Sequence, residues 1–262
     1  MSIGPTIDQW SVERDDQVCL IRFQGGERRT MTIRGAAQLG SLLRERAERS
    51  EPPVVVLEID VLHAELDEVL EMARGRPIGD WAPWVEVIAA LGTYPVATIA
   101  SIPRQATCGG LELSLGTDVR VAAPDARLGV LETRIGLIPG AGGTQRLPGL
   151  IGMGNASLLV LSGEAVSGTE AHRMGLVQLL DEDPTRAAQH LAERIAKIGT
   201  QVIAAAKRGL RAAATTTDAG FREEGRAFLS VVGLPSTIET MTRWTAAQEG
   251  GEPPSLEPSP LP

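Results

Sequence analysis

The 262-residue chain predicts an α/β fold with largely parallel strand pairing. Three observations carry this. Apolar runs of strand length, Val18–Phe23, Val54–Ile59 and Val96–Ile102, alternate with helix-period segments; 29 glycines punctuate the chain; and beyond Asp183 strands give way to helical patterns. A chain this long can bury one large core, and 43% hydrophobic residues is ordinary for a globular domain.

The elements come in order along the chain. Val18–Phe23 reads as an early strand, and residues 35–49 as an amphipathic helix with Ala37, Leu39, Leu42, Leu43 and Ala47 inward. Val54–Ile59 is a buried strand. Between Asp67 and Gly79 the periodicity weakens around Arg74-Gly75-Arg76-Pro77, so a mobile loop is expected there. Trp84 to Leu91 is helical, and Val96–Ile102 is a strand that enters the turn at Gly109-Gly110. Ser167-Gly168-Thr169-Glu170 has capping-box form, with Gly175 as the stop of a short helix. Helices are then predicted over 184–198, 202–214, 221–232 and 236–248. The Pro, Gly, Ser and Glu of 249–262 predict a disordered tail.

Charge and composition narrow the classes of function. A net charge of −8, with basic residues scattered among acidic ones, argues against a nucleic-acid surface. No apolar run reaches about 18 residues and no cationic start precedes an apolar core, so a cytoplasmic protein without a membrane segment is expected. Cys19 and Cys108 read as reduced, buried thiols, and Cys108 as packing more than nucleophile. His63, His172 and His190 lack metal-ligand spacing, and no metal is assigned. His172 and His190 read as surface residues.

The informative stretch is Ala106 to Glu132. Gly109-Gly110 opens a helix directly after a strand; without a Cβ, Gly109 leaves room for a ligand carbonyl to approach the main chain, and free N–H groups at such a start favour developing negative charge. Glu112 lies about one turn into that helix, and Glu132 precedes the glycine-rich loop 136–146. Two carboxyls around one oxyanion site suit addition of water to a double bond, one acting as base toward water and one as acid toward carbon. Spacing alone leaves the structural alternatives open: a tight turn, and a glutamate that compensates a helix dipole.

The motifs resolve this further. Ala106 to Ala123 (ATCGGLELSLGTDVRVAA), Leu128 to Glu132 (LGVLE) and Gly136 to Leu147 (GLIPGAGGTQRL) resemble the crotonase (enoyl-CoA hydratase/isomerase) superfamily. The likeness continues without gaps to Val177. It implies a crotonase (ClpP-like) spiral of ββα units over 1–183 and a C-terminal helical region over 184–248 that builds a homotrimer or hexamer. It implies catalytic glutamates at Glu112 and Glu132, an oxyanion hole from the amides of Ala64 and Gly109, and substrate contacts at His63, Asp67, Gly110 and Lys207. Lys207, with Arg243-Trp244, falls roughly where the family's CoA-facing basic residues come. A loop histidine without a role remains the alternative for His63, and solvation for Lys207.

The implied reaction is reversible hydration of a 2-enoyl thioester carried on CoA or on a carrier protein, with CoA as part of the substrate and no further cofactor. Another crotonase reaction, isomerisation or dehydration, and a non-catalytic scaffold remain the rival readings. The sequence departs from the family at Glu65 and Arg104, where glycine is usual. Side chains there either narrow the site entrance, disfavouring short straight acyl groups, or point to solvent.

Overall fold

The computed structural model describes residues 6–7, 9–75, 81–212, 225, 228–230 and 232–249. The chain opens with β1 (Thr6–Ile7), β2 (Trp10–Asp15) and β3 (Val18–Phe23), paired antiparallel in that order. A unit of long strand, short strand and helix then repeats. The first is β3, β4 (Thr30–Met31) and α1 (Ile33–Ala47); the second is β5 (Val54–Glu58), β6 (His63–Ala64) and α2 (Leu66–Ala73). After α3 (Ala82–Thr93) come β7 (Thr98–Ile102), β8 (Gln105–Thr107) and α4 (Gly109–Leu115). Then β9 (Val119–Ala122) and β10 (Arg127–Gly129) lead through a 3-10 turn, Glu132–Ile135, to α5 (Gly143–Ser162), two helical stretches that meet at a kink at Gly152 (φ 75°, ψ 156°). The remaining elements are β11 (Ala165–Ser167), α6 (Gly168–Arg173), β12 (Leu179–Leu180), α7 (Pro184–Ala196), α8 (Thr200–Ala212) and α9 (Pro235–Glu249).

The long strands build one seven-stranded sheet in the order β1-β2-β3-β5-β7-β9-β12, parallel from β3 onward. The short strands stack beside it: β4 with β6, and β8 with β10 and β11. This is the expected spiral of ββα units.

Burial explains why the central strands are continuously apolar. In β5, Val55 and Leu57 face the main core with Leu39, Leu43, Ile88 and Leu91 of α1 and α3. Val54 and Val56 face the other way, with Val18, Leu20, Ile99 and Val121, and α7 covers them through Ala188 and Ala192. A parallel sheet buried on both faces demands this composition. Among the described residues only helices follow Asp183, and the first of them, α7, belongs to the sheet's core.

Local signals behave as their chemistry requires. Thr32 caps α1 by accepting from the Gly35 N–H, and Asp183 caps α7 by accepting from the Arg186 N–H. Ser167 caps α6 through the Glu170 N–H, but the reciprocal half of the expected capping box is absent, because the Glu170 carboxylate pairs with Arg173 instead. The weak pattern after Asp67 is corrected: residues 66–73 are helical, with Leu66, Val69 and Leu70 buried, and the helix stops at the Arg74-Gly75 turn. Residues 76–80 of the expected loop lie outside the described residues, as do most of 213–231 and the tail from 250. Among the described residues, no helix is long and apolar enough to cross a membrane.

One close approach sets the position of the site. A Cβ on Gly110 would overlap the Val61 carbonyl oxygen and sit 2.9 Å from the Val61 Cβ, so only glycine lets α4 pack against the chain leading into β6. Because the obstacle is main chain, Gly110→Ala is expected to destabilise by about 2 kcal/mol or more. Gly209→Ala, at an open position inside α8, is expected to stabilise by about 0.5–1 kcal/mol. Thermal unfolding of the two variants beside the parent checks the opposite signs.

Candidate active site

Two consecutive ββα units bring the two glutamates to one place. β8 and β10 are parallel with Ala106 opposite Leu128 and Thr107 opposite Gly129. The next residue, Cys108, donates its N–H to the Gly129 carbonyl at 2.8 Å, while Thr107 donates from N to the Val61 carbonyl and from Oγ1 to the Leu62 carbonyl. The turn between β8 and α4 is thus tied to β10 on one side and to the approach to β6 on the other. Cys108 itself holds φ 50° and ψ −127°, an uncommon conformation for a side-chain-bearing residue and one maintained by these surroundings.

Beyond it α4 begins. The first intrahelical bond is from the Glu112 N–H to the Cys108 carbonyl, so the N–H of Gly109, at the helix start, has no intrahelical acceptor. The reason for glycine at 109 differs from the sequence expectation of room for a ligand: a Cβ there would stand 2.8 Å from Cη2 and Cζ3 of Trp84.

Glu112 is 2% exposed, and its Oε1 accepts from the N–H groups of Ala141 and Gly143, each at 2.8 Å. Gly143 is the first residue of α5 and Gly142, with φ 116°, caps it, so the glycine-rich loop aims a helix N-terminus at this carboxyl. A Cβ on Gly143 would approach Oε1 to 3.1 Å and Pro139 to 2.8 Å. Glu132 opens the 3-10 turn at 8% exposure, next to the buried Val130, Leu131 and Ile135. The Cys108 thiol registers both carboxyls. Burial pushes it well above the ordinary thiol range, the charges of Glu132 and then Glu112 add to this, and a hydrogen bond with the Leu131 main chain opposes it. A buried thiol whose pKa is raised by burial and by carboxylate charge is packing, not a nucleophile.

Ala64 is half-buried in β6, which packs against α4 and runs parallel to β4 with Met31 opposite Ala64. His63 is buried, with Nδ1 2.6 Å from the Ala64 carbonyl and its ring edge-on to Trp244 of α9 at 5.1 Å. Burial lowers its pKa, with the Ala64 hydrogen bond and Glu65 opposing. Asp67 is exposed in the first turn of α2. Arg243 is exposed on α9.

Lys207 is not a CoA-facing residue here. It is 6% exposed, and its Nζ donates to the Val96 carbonyl at 2.9 Å and to Asp118 at 2.6 Å, at the end of β7 opposite to the Cys108 turn. At 65 and 104, where the sequence departs from the family, the side chains are engaged by other residues. Glu65 has φ −61° and ψ 110°, open to any residue, and its carboxylate accepts from Thr30 Oγ1 at 2.6 Å. Arg104 is exposed and pairs with Asp60. The features that sequence reasoning missed are the Ala141 and Gly143 amides on Glu112; the run Gly140-Ala141-Gly142-Gly143 was their visible signal.

A cleft of about 750 Å³ lies elsewhere, at the N-terminal ends of β5 and β7, lined by Gln17, Arg49, Val54, Val96, Thr200 and Val202. Glu112, Glu132, Ala64 and Gly109 do not line it. Among the described residues, no group of three or more His, Cys, Asp or Glu is arranged to hold a metal ion.

A spiral of ββα units with buried glutamates after the short strands of two adjacent units defines a class, and comparison with known proteins agrees. Residues 64–238 match the family described as enoyl-CoA hydratase/isomerase, and the chain belongs to that family. A mitochondrial enoyl-CoA hydratase domain-containing protein 2 from Bos taurus is 30% identical over 85% of this chain and 65% of its own length. The human methylglutaconyl-CoA hydratase is 50% identical over 44% of this chain and 34% of its own length. The chain spans between 47% and 65% of the length of the first relatives it matches. Its fold also matches an enoyl-CoA hydratase from Bacillus halodurans, with TM-score 0.80 at 19% identity over 90% of this chain and 100% of that one.

The burial of His63 has a pH consequence. Its folded pKa lies below the ordinary 6.5, so as pH falls the unfolded chain takes up the proton first. Stability attributable to the neutral ring is complete above pH 6.5 and drains away below it, toward the lowered value. Melting temperature measured against pH is expected to fall less steeply below pH 6.5 in His63→Gln than in the parent.

Proposed function

We propose that the protein reversibly adds water to the double bond of a 2-enoyl thioester, with coenzyme A as part of the substrate. The observation that carries this reading is the register that seats the Cys108 turn, from which α4 carries Gly109 and Glu112, against the end of β10, from which the chain runs on to Glu132. In the reading, the thioester oxygen accepts from the Gly109 and Ala64 amides, which stabilise enolate charge as it develops. Loss of one such donor elsewhere costs about 3–4 kcal/mol of transition-state stabilisation. Glu112, whose Oε1 already accepts from Ala141 and Gly143, is oriented and electrostatically suited to act as carboxylate. It takes a proton from water as the water oxygen bonds to C3. Glu132, next to Val130, Leu131 and Ile135, delivers a proton to C2. Glu132 starts protonated and Glu112 ionised; after addition the proton now on Glu112 is lost to solvent and Glu132 takes one up, so the net change is water added across C2 and C3 and only proton transfers are required of the protein. The names of the hydratase relatives support this choice over isomerisation.

Assembly as a homotrimer or hexamer accompanies the proposal. Leu150, Met153, Leu158 and Leu161 of α5 are exposed in one chain, and closed symmetric association would cover apolar surface of this kind. Sedimentation at micromolar concentration is expected to give a trimer or a multiple of it, and a stable monomer would contradict the assembly.

The reaction is tested by substituting each glutamate. Glutamine at 112 keeps a carbonyl oxygen for Ala141 and Gly143 yet cannot take a proton, and the same logic applies at 132. Glu112→Gln and Glu132→Gln are each expected to lower turnover of crotonyl-CoA by about 10²–10⁴-fold with folding intact, read as loss of enoyl absorbance in the ultraviolet. Near-normal hydration by Glu112→Gln would overturn its assignment as base.

A further inference from the structure

Three aromatic rings join the two halves of the site. Trp84, at the start of α3, lies against Gly109, as the 2.8 Å separation of a Cβ at 109 from Cη2 and Cζ3 shows. Trp81 stacks on Trp84 with ring centroids 5.6 Å apart and planes at 17°. Phe228 also stacks on Trp81, with centroids 5.4 Å apart and planes at 17°. The far end closes on the glycine-rich loop: Trp81 Nε1 donates to the Gly140 carbonyl at 3.3 Å, and a Cβ on Gly140 would stand 2.8 Å from Phe228 Cδ2. Gly140 immediately precedes Ala141, whose N–H holds Glu112. The stack therefore runs from the turn that supplies the Gly109 amide to the loop that orients the base.

We propose that this stack is the end wall of the acyl site and that Trp81 sets its depth, limiting the substrate to a short acyl group. The inference rests on the hydratase reading, because it takes the thioester carbonyl to lie at Gly109. From there the acyl chain must pass Glu132 at C2 and Glu112 at C3, and the loop carrying Gly140 lies just beyond Glu112. The rings lie there: Trp84 and Phe228 are buried and Trp81 is half-buried; Leu66, Leu70, Leu137 and Ile138 share an apolar cluster with Trp81 and Phe228, while Trp84 belongs to the main core, against which Trp81 also packs. Three near-parallel, offset rings, pinned at both ends by close glycine contacts and one hydrogen bond, have little freedom to move aside for extra methylenes. A straight chain of ten carbons would require displacement of the stack, whereas a four-carbon chain ends before it.

Two measurements on the full chain test this. The first is hydration of crotonyl-CoA (four carbons) against 2-decenoyl-CoA (ten carbons) by the parent, Trp81→Ala and Trp81→Phe. The parent is expected to prefer crotonyl-CoA by about tenfold or more in kcat/KM. Trp81→Ala, which empties the centre of the stack, is expected to shift that ratio toward decenoyl-CoA by about tenfold or more, while Trp81→Phe keeps a stacked ring and most of the parent's preference. The second is calorimetric binding of the saturated analogues butyryl-CoA and decanoyl-CoA, which reads pocket depth without turnover. A parent that binds butyryl-CoA in preference to decanoyl-CoA but hydrates neither enoyl substrate would overturn the proposed reaction and uphold the wall. Equal preference for both lengths in the parent, or a ratio unmoved by Trp81→Ala, would overturn the wall. Should Trp81→Ala fail to fold, Phe228→Leu provides the same comparison, with an expected shift in the same direction.

Discussion

The site depends on two hydrogen bonds, from the N–H groups of Ala141 and Gly143 to Oε1 of Glu112. They join α4 to the N-terminus of α5 and hold a carboxyl that is otherwise sealed from water. A buried charge that loses its donors costs more than an exposed one gains from them, so the loop and the glutamate constrain each other. The constraint dictates sequence. Gly142 adopts φ 116°, which side chains disfavour, and a Cβ on Gly143 would crowd both Pro139 and the carboxyl oxygen. A glycine-rich loop is thus the means by which a helix N-terminus reaches a buried carboxyl.

The second constraint is the repeat itself. In a right-handed spiral of parallel units, neighbouring short strands place equivalent turns side by side. With Thr107 opposite Gly129, the turn after β8 meets the chain after β10, and the Cys108 N–H to Gly129 carbonyl bond closes that meeting. Glu112 comes from one turn into the helix of one unit, Glu132 from three residues past the strand of the next. Two carboxyls twenty residues apart in sequence are therefore brought together by register, and the charges of both raise the pKa of the buried Cys108 thiol. The aromatic stack then ties the Gly109 side to the loop side, so that the amide donor and the base are held by one continuous set of contacts.

Much of this was legible in the chain. Long apolar runs announced the central strands because both sheet faces are covered, and the Gly109-Gly110 turn announced the helix start. Other features depend on long-range packing that local pattern does not encode. Lys207 looks like any solvated lysine on a helix, and only the fold reveals Asp118 and the Val96 carbonyl as its partners. Glycine at 109 suggested room for a ligand, but the neighbour that requires it, Trp84, is 25 residues away in sequence. Glu65 and Arg104 suggested a narrowed entrance, yet Thr30 and Asp60 engage their side chains. Residues 66–73 form a helix despite a weak pattern, because Leu66, Val69 and Leu70 find the cluster around Ile135, Leu137 and Met241.

The proposed chemistry has a stereochemical signature. If both carboxyls act from the same turn, water oxygen and proton reach the same face of the double bond. Hydration of crotonyl-CoA in deuterium oxide, with the 3-hydroxyacyl product analysed by proton NMR, reads this directly. The expected product carries a single deuterium at C2, on the face that receives the hydroxyl at C3. Deuterium divided between both C2 positions, or incorporated at C4 without a 3-hydroxy product, would contradict the paired action of Glu112 and Glu132.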